Sequence, residues 1–299
     1  MEYAKTNAES QVALGFFDGV HLGHRAVIED CMKNPGGRQS VVLTFAQSPA
    51  ALLGKGEIPL ITDNARKAEL IGEMGVDAII LADFLQIREM EAEDFVTRVL
   101  YEQLRAKKVS CGYNYRFGKD GRGDTDTLRS TCEALGIAVT VSQPITCGKR
   151  TVSSSAVRTL LQNGDIRQAN RMLGYVYSIR GRIGDGNHLG TPMGFPTVNL
   201  EFEKGMVVPR FGVYASRVSV GGKVYRGATN IGVHPTVGEN DAPLCETFLL
   251  DRVEGDLRGE YAVCEPVAFV RQEKRFATTD ALIDQVGRDV ETIKEILIK

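Results

Sequence analysis

Val12-Ala-Leu-Gly-Phe-Phe-Asp-Gly-Val-His-Leu-Gly-His-Arg25 is the stretch that decides the fold of the first half. Val12 to Phe16 is an apolar run that reads as a strand, and His21 to Met32 has the composition of a helix. Between them lies a turn bearing Gly15 and Gly19, with Gly23 one turn into the helix. Glycine at such positions lets backbone approach a ligand closely. A helix N-terminus offers unpaired N–H groups and a positive dipole end, which together favour an anion. His21 and His24 are three apart, so both imidazoles can face one way and donate to phosphate oxygens. A lone histidine in a loop is usually a plain surface or core residue. Here two of the chain's four histidines fall within four residues, at a strand-to-helix junction.

Outward from this stretch the pattern alternates. Ser40–Phe45 and Val76–Leu81 read as strands rich in β-branched residues. Asp63 to Met74 reads as a helix, with Asp63 as N-cap and Gly75 ending it. Glu91 to Ala106 has helical spacing with Phe95, Val99 and Leu104 inward. Lys107–Cys111 and Ile137–Val141 are further strands, separated by a helix over Thr125–Leu135. Such β–α alternation predicts a parallel sheet with helices on both faces. Beyond a helical connector, Val157 to Leu173, the character changes. Val176–Ile183, Val213–Val220, Lys223–Ile231, Leu244–Leu250 and Tyr261–Phe269 are strand runs separated by Gly- and Pro-rich turns, which predicts an antiparallel barrel. Leu282, Val286, Val290, Ile293 and Leu297 recur every three or four positions, so Asp280–Ile298 reads as a closing amphipathic helix capped by Thr279. The expected domains are 1–174 and 175–299.

The bulk numbers set bounds. The chain has 299 residues, 43% hydrophobic and 25% charged, with a formal net charge of −2. Near-neutral charge gives no general attraction to nucleic acid or anionic membrane. The longest apolar stretch, Val76–Leu85, is interrupted by Asp77 and Asp83 and is too short to span a bilayer. None of the six cysteines forms a C-x-x-C pair. That argues against a zinc or disulfide framework and fits a reducing, cytoplasmic setting.

Three later segments complete the picture. Cys111-Gly-Tyr-Asn-Tyr-Arg-Phe-Gly118 is followed by Gly121-Arg-Gly-Asp124, and Val152-Ser-Ser-Ser-Ala-Val-Arg158 ends the first half. With the opening stretch, these resemble the adenylyltransferase half of bacterial bifunctional riboflavin kinase/FAD synthetases, a Rossmann-like nucleotidyltransferase fold. The resemblance implies that Gly15, Asp18, Gly23, His21 and His24 form the ATP-phosphate site, helped by Ser154, Ser155 and Arg158. It puts Asn114 at the flavin-nucleotide site. Alone, Ser153–Ser155 would read as a helix cap. One departure stands out: the family often carries T-F-x-P-H-P, where this chain has Thr44-Phe-Ala-Gln-Ser-Pro49.

The second dense signal is Gly181-Arg-Ile-Gly-Asp-Gly-Asn-His-Leu-Gly-Thr-Pro-Met-Gly-Phe-Pro-Thr-Val-Asn-Leu200. A loop this rich in glycine can wrap phosphate with backbone N–H groups, although a barrel corner has the same composition. Gly194-Phe-Pro-Thr-Val-Asn-Leu200 is similar to the G-F-P-T-A-N-L motif of riboflavin kinases. Thr229-Asn-Ile-Gly-Val-His-Pro-Thr236 and Cys245-Glu-Thr-Phe248 follow in family order. The resemblance implies that Gly184, Gly186 and Gly194 cradle ATP and that Thr197 and Asn199 hold Mg²⁺. It makes Glu246 the general base; alone, Glu246 would read as a surface strand carboxylate. It further implies riboflavin, FMN and ATP as partners, FAD as final product, and neither nucleic acid nor membrane as a partner.

Gln47-Ser48 motivates an alternative, a riboflavin kinase with weakened or lost adenylyltransferase activity. A reading of another class is a flavin-binding sensor or RNA-associated regulator. The absence of a basic, aromatic stripe speaks against it.

Overall fold

The structure, a computed structural model, describes residues 8–52, 56–184, 196–233, 242–274 and 276–298. Two compact units divide the chain, Met1–Ser154 and Ser155–Lys299.

The first unit contains β1 (Ser10–Leu14), α1 (Leu22–Met32), β2 (Gln39–Phe45), α2 (Pro49–Leu52), α3 (Asn64–Gly72) and β3 (Ala78–Ala82). Then come α4 (Phe84–Ile87), α5 (Ala92–Asp94), β4 (Ala106–Gly112), α6 (Thr125–Ala134), β5 (Ala138–Ser142) and a small hairpin, β6 (Thr146–Cys147) with β7 (Arg150–Thr151). The main strands form a five-stranded parallel sheet in the order β3-β2-β1-β4-β5. β1 is central and every residue in it is buried. The order in which successive strands are added reverses between β1 and β4, so a crevice opens outside their C-terminal ends, where such sheets bind ligands. The His21–His24 stretch leaves β1 at that point, and Asn114 leaves β4 there.

Asp63 caps its helix as expected, and Asp124 adds a cap that was not read from sequence. Asp63 accepts from the Arg66 N–H at 2.7 Å, and Asp124 from the Thr127 N–H at 3.0 Å. Phe95–Gln103 departs from expectation. It winds as a π-helix, closed by the Leu104 N–H on the Val99 carbonyl at 3.0 Å. Phe95, Val96, Val99, Leu100 and Leu104 are all buried, and i→i+5 winding brings residues five apart onto one face.

The second unit opens with α7 (Ser154–Gln162) and α8 (Ile166–Leu173), the latter ended by Gly174 in the left-handed region at φ 79°. β8 (Ile179–Arg182), β9 (Thr197–Glu201), β10 (Gly212–Val220), β11 (Lys223–Val233), β12 (Pro243–Leu249) and β13 (Tyr261–Arg271) follow, then α9 (Thr279–Ile298). They form one antiparallel sheet in the order β8-β13-β10-β11-β12-β9. It curls toward closure: the Gly184 N–H, just past β8, donates to the Asn199 carbonyl of β9 at 3.1 Å.

Inside the curl lies a polar knot. Thr229 Oγ1 is 2.8 Å from Thr247 Oγ1 and 3.5 Å from Cys264 Sγ, and it bonds Ser216 Oγ. The outer face is covered in part by α9, whose Ile293 and Leu297 pack with Val213, Ala215 and Ala228. Arg271 of β13 pins the helix by pairing with the buried Asp289 at 2.7 Å. The cap of α9 is Thr278, whose Oγ1 accepts from the Ala281 N–H at 3.2 Å; Thr279 is the first helical residue.

Gly212 begins β10 beside the end of β13. An added Cβ would lie 2.4 Å from the Arg271 carbonyl oxygen. Gly212→Ala is expected to destabilise the second unit by about 1–3 kcal/mol, as overpacking does. A lowered denaturant midpoint for that unit would show it, and an unchanged midpoint would contradict it.

Candidate functional site

The first site is a turn with an unusual backbone. Phe17 has φ 55°, Gly19 φ 80° and Val20 φ 36°. Positive φ is costly for a β-branched residue, so the turn must be held from outside. Asp18 supplies one hold. It is buried, and its Oδ1 accepts from the Ile61 N–H at 2.9 Å and the Thr62 N–H at 3.2 Å. The Gly19 N–H donates to Thr62 Oγ1 at 3.0 Å, and Ser154 Oγ donates to the Asp18 carbonyl at 2.9 Å. The Asp18 carboxylate, grouped with the nucleotide-binding residues from sequence, is thus engaged with backbone of the β2–α3 connection.

The turn delivers the histidines. His21 caps α1, its Nδ1 accepting the His24 N–H at 3.2 Å. A neutral imidazole that accepts through Nδ1 carries its proton on Nε2, so that nitrogen is a donor. The two rings stack with centroids 3.6 Å apart and 15° between planes, and Phe17 meets His24 edge-on at 5.3 Å. The two imidazoles therefore face the same way. Gly23 packs under this pair, where an added Cβ would lie 3.2 Å from the His21 ring; at Gly15 it would lie 2.8 Å from the Phe17 ring. Asn114 is exposed just beyond the C-terminal end of β4. Ser154 opens α7. Ser155 is exposed and Arg158 half-buried on that helix.

Sequence reading assigned no role to Lys67, which is 3% exposed in this region. Its Nζ donates to the Phe45 carbonyl at 2.9 Å and the Phe16 carbonyl at 3.5 Å. The signal was present: Lys67, Leu70 and Ile71 lie at i, i+3 and i+4, one face of α3, and all three are buried.

The second site follows from strand register. Asn199 of β9 stands opposite Glu246 of β12, and Glu246 stands opposite Asn230 of β11. Opposed residues in an antiparallel pair share a face, so these three form a row across the sheet. Thr197 is two residues from Asn199 and shares that outer face. Asn199 is 4% and Glu246 5% exposed. Glu246 is therefore buried rather than the solvated surface carboxylate its composition alone suggests. Asn199 Oδ1 is buried with no hydrogen-bond partner among the described residues. A buried, unpaired carbonyl oxygen is costly unless something binds it. It is a hard oxygen donor of the kind Mg²⁺ takes, and the Thr197 hydroxyl on the same face is another. Among the described residues no group of three or more His, Cys, Asp or Glu could hold a metal. Gly184 is described and bonds Asn199; Gly186 and Gly194 lie outside the described residues. Arg258 is exposed and pairs with Asp256 at 2.5 Å, holding that carboxyl down at about 2.

Comparison with known proteins assigns both halves. The FAD synthetase family model matches residues 3–156, and the riboflavin kinase family model matches residues 173–297. A nucleotidyl-transfer sheet and a flavin-kinase barrel on one chain define a two-part flavin-nucleotide transferase. A Listeria monocytogenes protein named bifunctional riboflavin kinase/FMN adenylyltransferase is 32% identical over 98% of this chain and 94% of its own. Its Escherichia coli counterpart of the same name is 33% identical over 95% of this chain and 91% of its own. A solved Streptococcus pneumoniae chain described as a macrolide-efflux protein has TM-score 0.88 at 26% identity, covering 98% of this chain and 97% of that one. In this chain, no helix among the described residues is long and apolar enough to cross a membrane. The chain belongs to the bifunctional riboflavin kinase/FMN adenylyltransferase family.

Removing the Asp18 carboxylate tests the hold on the turn. Asp18→Ala leaves the Ile61 and Thr62 N–H groups without their acceptor, at about 1–3 kcal/mol for each buried unsatisfied group. The first unit should unfold at lower denaturant and FAD formation should fall, with riboflavin phosphorylation retained. Unchanged stability would show that the contacts at Ile61 and Thr62 carry little.

Proposed function

We infer that the two activities of this bifunctional riboflavin kinase and FMN adenylyltransferase divide along the chain, 175–299 phosphorylating riboflavin and 1–174 adenylylating the FMN produced. As packing, residues 155–173 belong with the barrel. As chemistry, the Val152–Arg158 motif belongs with adenylyl transfer, which is why the functional boundary is placed after it.

In the kinase half the riboflavin 5′-hydroxyl attacks the γ-phosphorus of ATP. The hydroxyl is a poor nucleophile until a base accepts its proton, and Glu246 fills that role. Asn199 turns its carbonyl oxygen toward the same face as Glu246, and Thr197 shares it. These two would hold Mg²⁺, which when bound offsets charge on the ATP phosphates. The glycine-rich stretch that begins at Gly184 and carries Gly186 and Gly194 is assigned to the polyphosphate by family resemblance; the N–H of Gly184 itself is taken by the Asn199 carbonyl. The observation that carries this assignment is the β9–β12 register, which sets Asn199 beside Glu246.

In the adenylyltransferase half the FMN phosphate attacks the α-phosphorus of ATP and expels pyrophosphate. No covalent enzyme intermediate is needed; positioning and charge stabilisation suffice. His21 and His24 donate to the phosphates from the start of α1, with Gly15 and Gly23 allowing close approach. Ser154, Ser155 and Arg158 contribute hydroxyl and guanidinium donors, and Asn114 contacts the flavin nucleotide. Asp18 acts by shaping the turn. All six cysteines are free, in keeping with a cytoplasmic enzyme.

Incubating the purified chain with riboflavin, ATP and Mg²⁺, with FMN and FAD separated by chromatography, tests the reading. Glu246→Gln is expected to lower FMN formation by about 10²–10⁴-fold, the range for loss of a general base. FAD formation from supplied FMN should persist. His24→Ala should show the reverse pattern. Parallel loss of both activities in either variant would contradict the division, and FMN production without FAD in the unmodified chain would support the kinase-only alternative.

A further inference from the structure

Lys67 is placed where a charge is hard to keep. Burial disfavours an ammonium unless its protons find acceptors. Its acceptors are the Phe45 carbonyl at 2.9 Å and the Phe16 carbonyl at 3.5 Å, and it lies 4.6 Å above the Phe16 ring. Phe45 is the last residue of β2, and Phe16 stands just past the end of β1, one residue before the turn takes positive φ. Thr44 Oγ1 also donates to the Phe16 carbonyl, at 2.8 Å. A helix residue thus reaches under two neighbouring strand exits and joins them. Among the described residues no carboxylate forms an ion pair with it, although the Asp18 charge acts on it through space. A methionine would fill the same volume. The ammonium's particular contribution is the two carbonyl bonds and the ring contact.

We propose that Lys67 is a positioning residue for adenylyl transfer, locking the exits of β1 and β2 together so that the Phe17–Val20 turn presents His21 and His24 in working geometry. The inference rests on adenylyl transfer belonging to residues 1–174. Misplacing catalytic groups by about 1 Å can cost about 10²-fold in rate, whereas ground-state binding is less sensitive. Lys67 therefore acts on kcat more than on KM. The kinase half has no share in these contacts and does not depend on them.

Proton loss from Lys67 gives a signature that packing alone would lack. Burial lowers its pKa to about 8, with the Asp18 charge opposing the shift. From the β1 exit the ionisable group facing it is Asp18. The β2 exit contributes the neutral Phe45 carbonyl, and on its own segment Asp63 and Arg66 are sequence neighbours. The ammonium is present below that pKa and is lost as pH rises through it.

The test uses the full chain, with Lys67→Met and Lys67→Arg variants. FAD formation from FMN and ATP is measured from about pH 6.5 to about pH 9.5, across the range where a lowered lysine titrates. Riboflavin phosphorylation is the internal control. Lys67→Met is expected to lower kcat for FAD formation by about 10–100-fold with much smaller changes in KM, and Lys67→Arg to restore part of it. The wild-type kcat should decline as pH passes about 8, and the decline should move to higher pH in Lys67→Arg. Lys67→Met retaining wild-type kcat at neutral pH would overturn the proposal. If Lys67→Met fails to fold, the wild type and Lys67→Arg decide it, since coincident alkaline limbs would also overturn it. A wild-type chain that makes FMN but no FAD at any pH would instead overturn the assignment of adenylyl transfer.

Discussion

The first unit depends on holding a backbone turn in a conformation it would not choose. Phe17, Gly19 and Val20 all have positive φ within four residues. Each non-glycine residue so placed costs on the order of 1–3 kcal/mol, and the turn persists only because its surroundings over-determine it. Those surroundings come from distant parts of the sequence: Ile61 and Thr62 on Asp18, Ser154 on the Asp18 carbonyl, and Lys67 and Thr44 on the Phe16 carbonyl. In return, two imidazoles are stacked at a helix N-terminus with the His21 Nδ1 already occupied. In the proposed role the two rings are set in place before a phosphate arrives, which is what preorganised charge stabilisation requires.

In the second unit register plays the corresponding part. A strand slipped by one residue exchanges its faces. A slip of β12 would carry Glu246 into the barrel interior and bring Thr247 out. The interior contacts of Thr247 with Thr229 and Cys264 resist that slip, because each hydroxyl would lose its buried partner. The polar knot inside the barrel therefore helps keep the carboxylate outside, opposite Asn199. The pin between Arg271 and Asp289 keeps α9 on the same outer face.

Much of this was legible in the sequence, and the reasons are local. Hydrophobic alternation located the parallel sheet, the barrel strands and the last helix, because those patterns repeat within each segment. The Asp63 cap follows from a neighbour three residues away. What escaped depends on distant partners. β9 is only five residues long and follows a glycine-rich stretch of sequence, so it read as a motif and not as a strand. The burial of Glu246 requires knowing that β9 and β11 flank β12. The engagement of the Asp18 carboxylate depends on residues 43 and 44 positions away. Lys67 looked like an ordinary helix lysine until α3 was laid against the strand exits, although its alignment with Leu70 and Ile71 was visible.

The proposal is that each functional half of the chain builds a separate polyphosphate pocket, one around paired imidazoles and one around the threonine–asparagine strand. Counting equilibrium sites for a non-hydrolysable ATP analogue on the intact chain, in the presence of Mg²⁺, tests this most directly. The account predicts two molecules bound per chain, with Asn199→Ala removing or weakening one and leaving the other unchanged. A single site per chain, or two sites that both weaken in that variant, would contradict it.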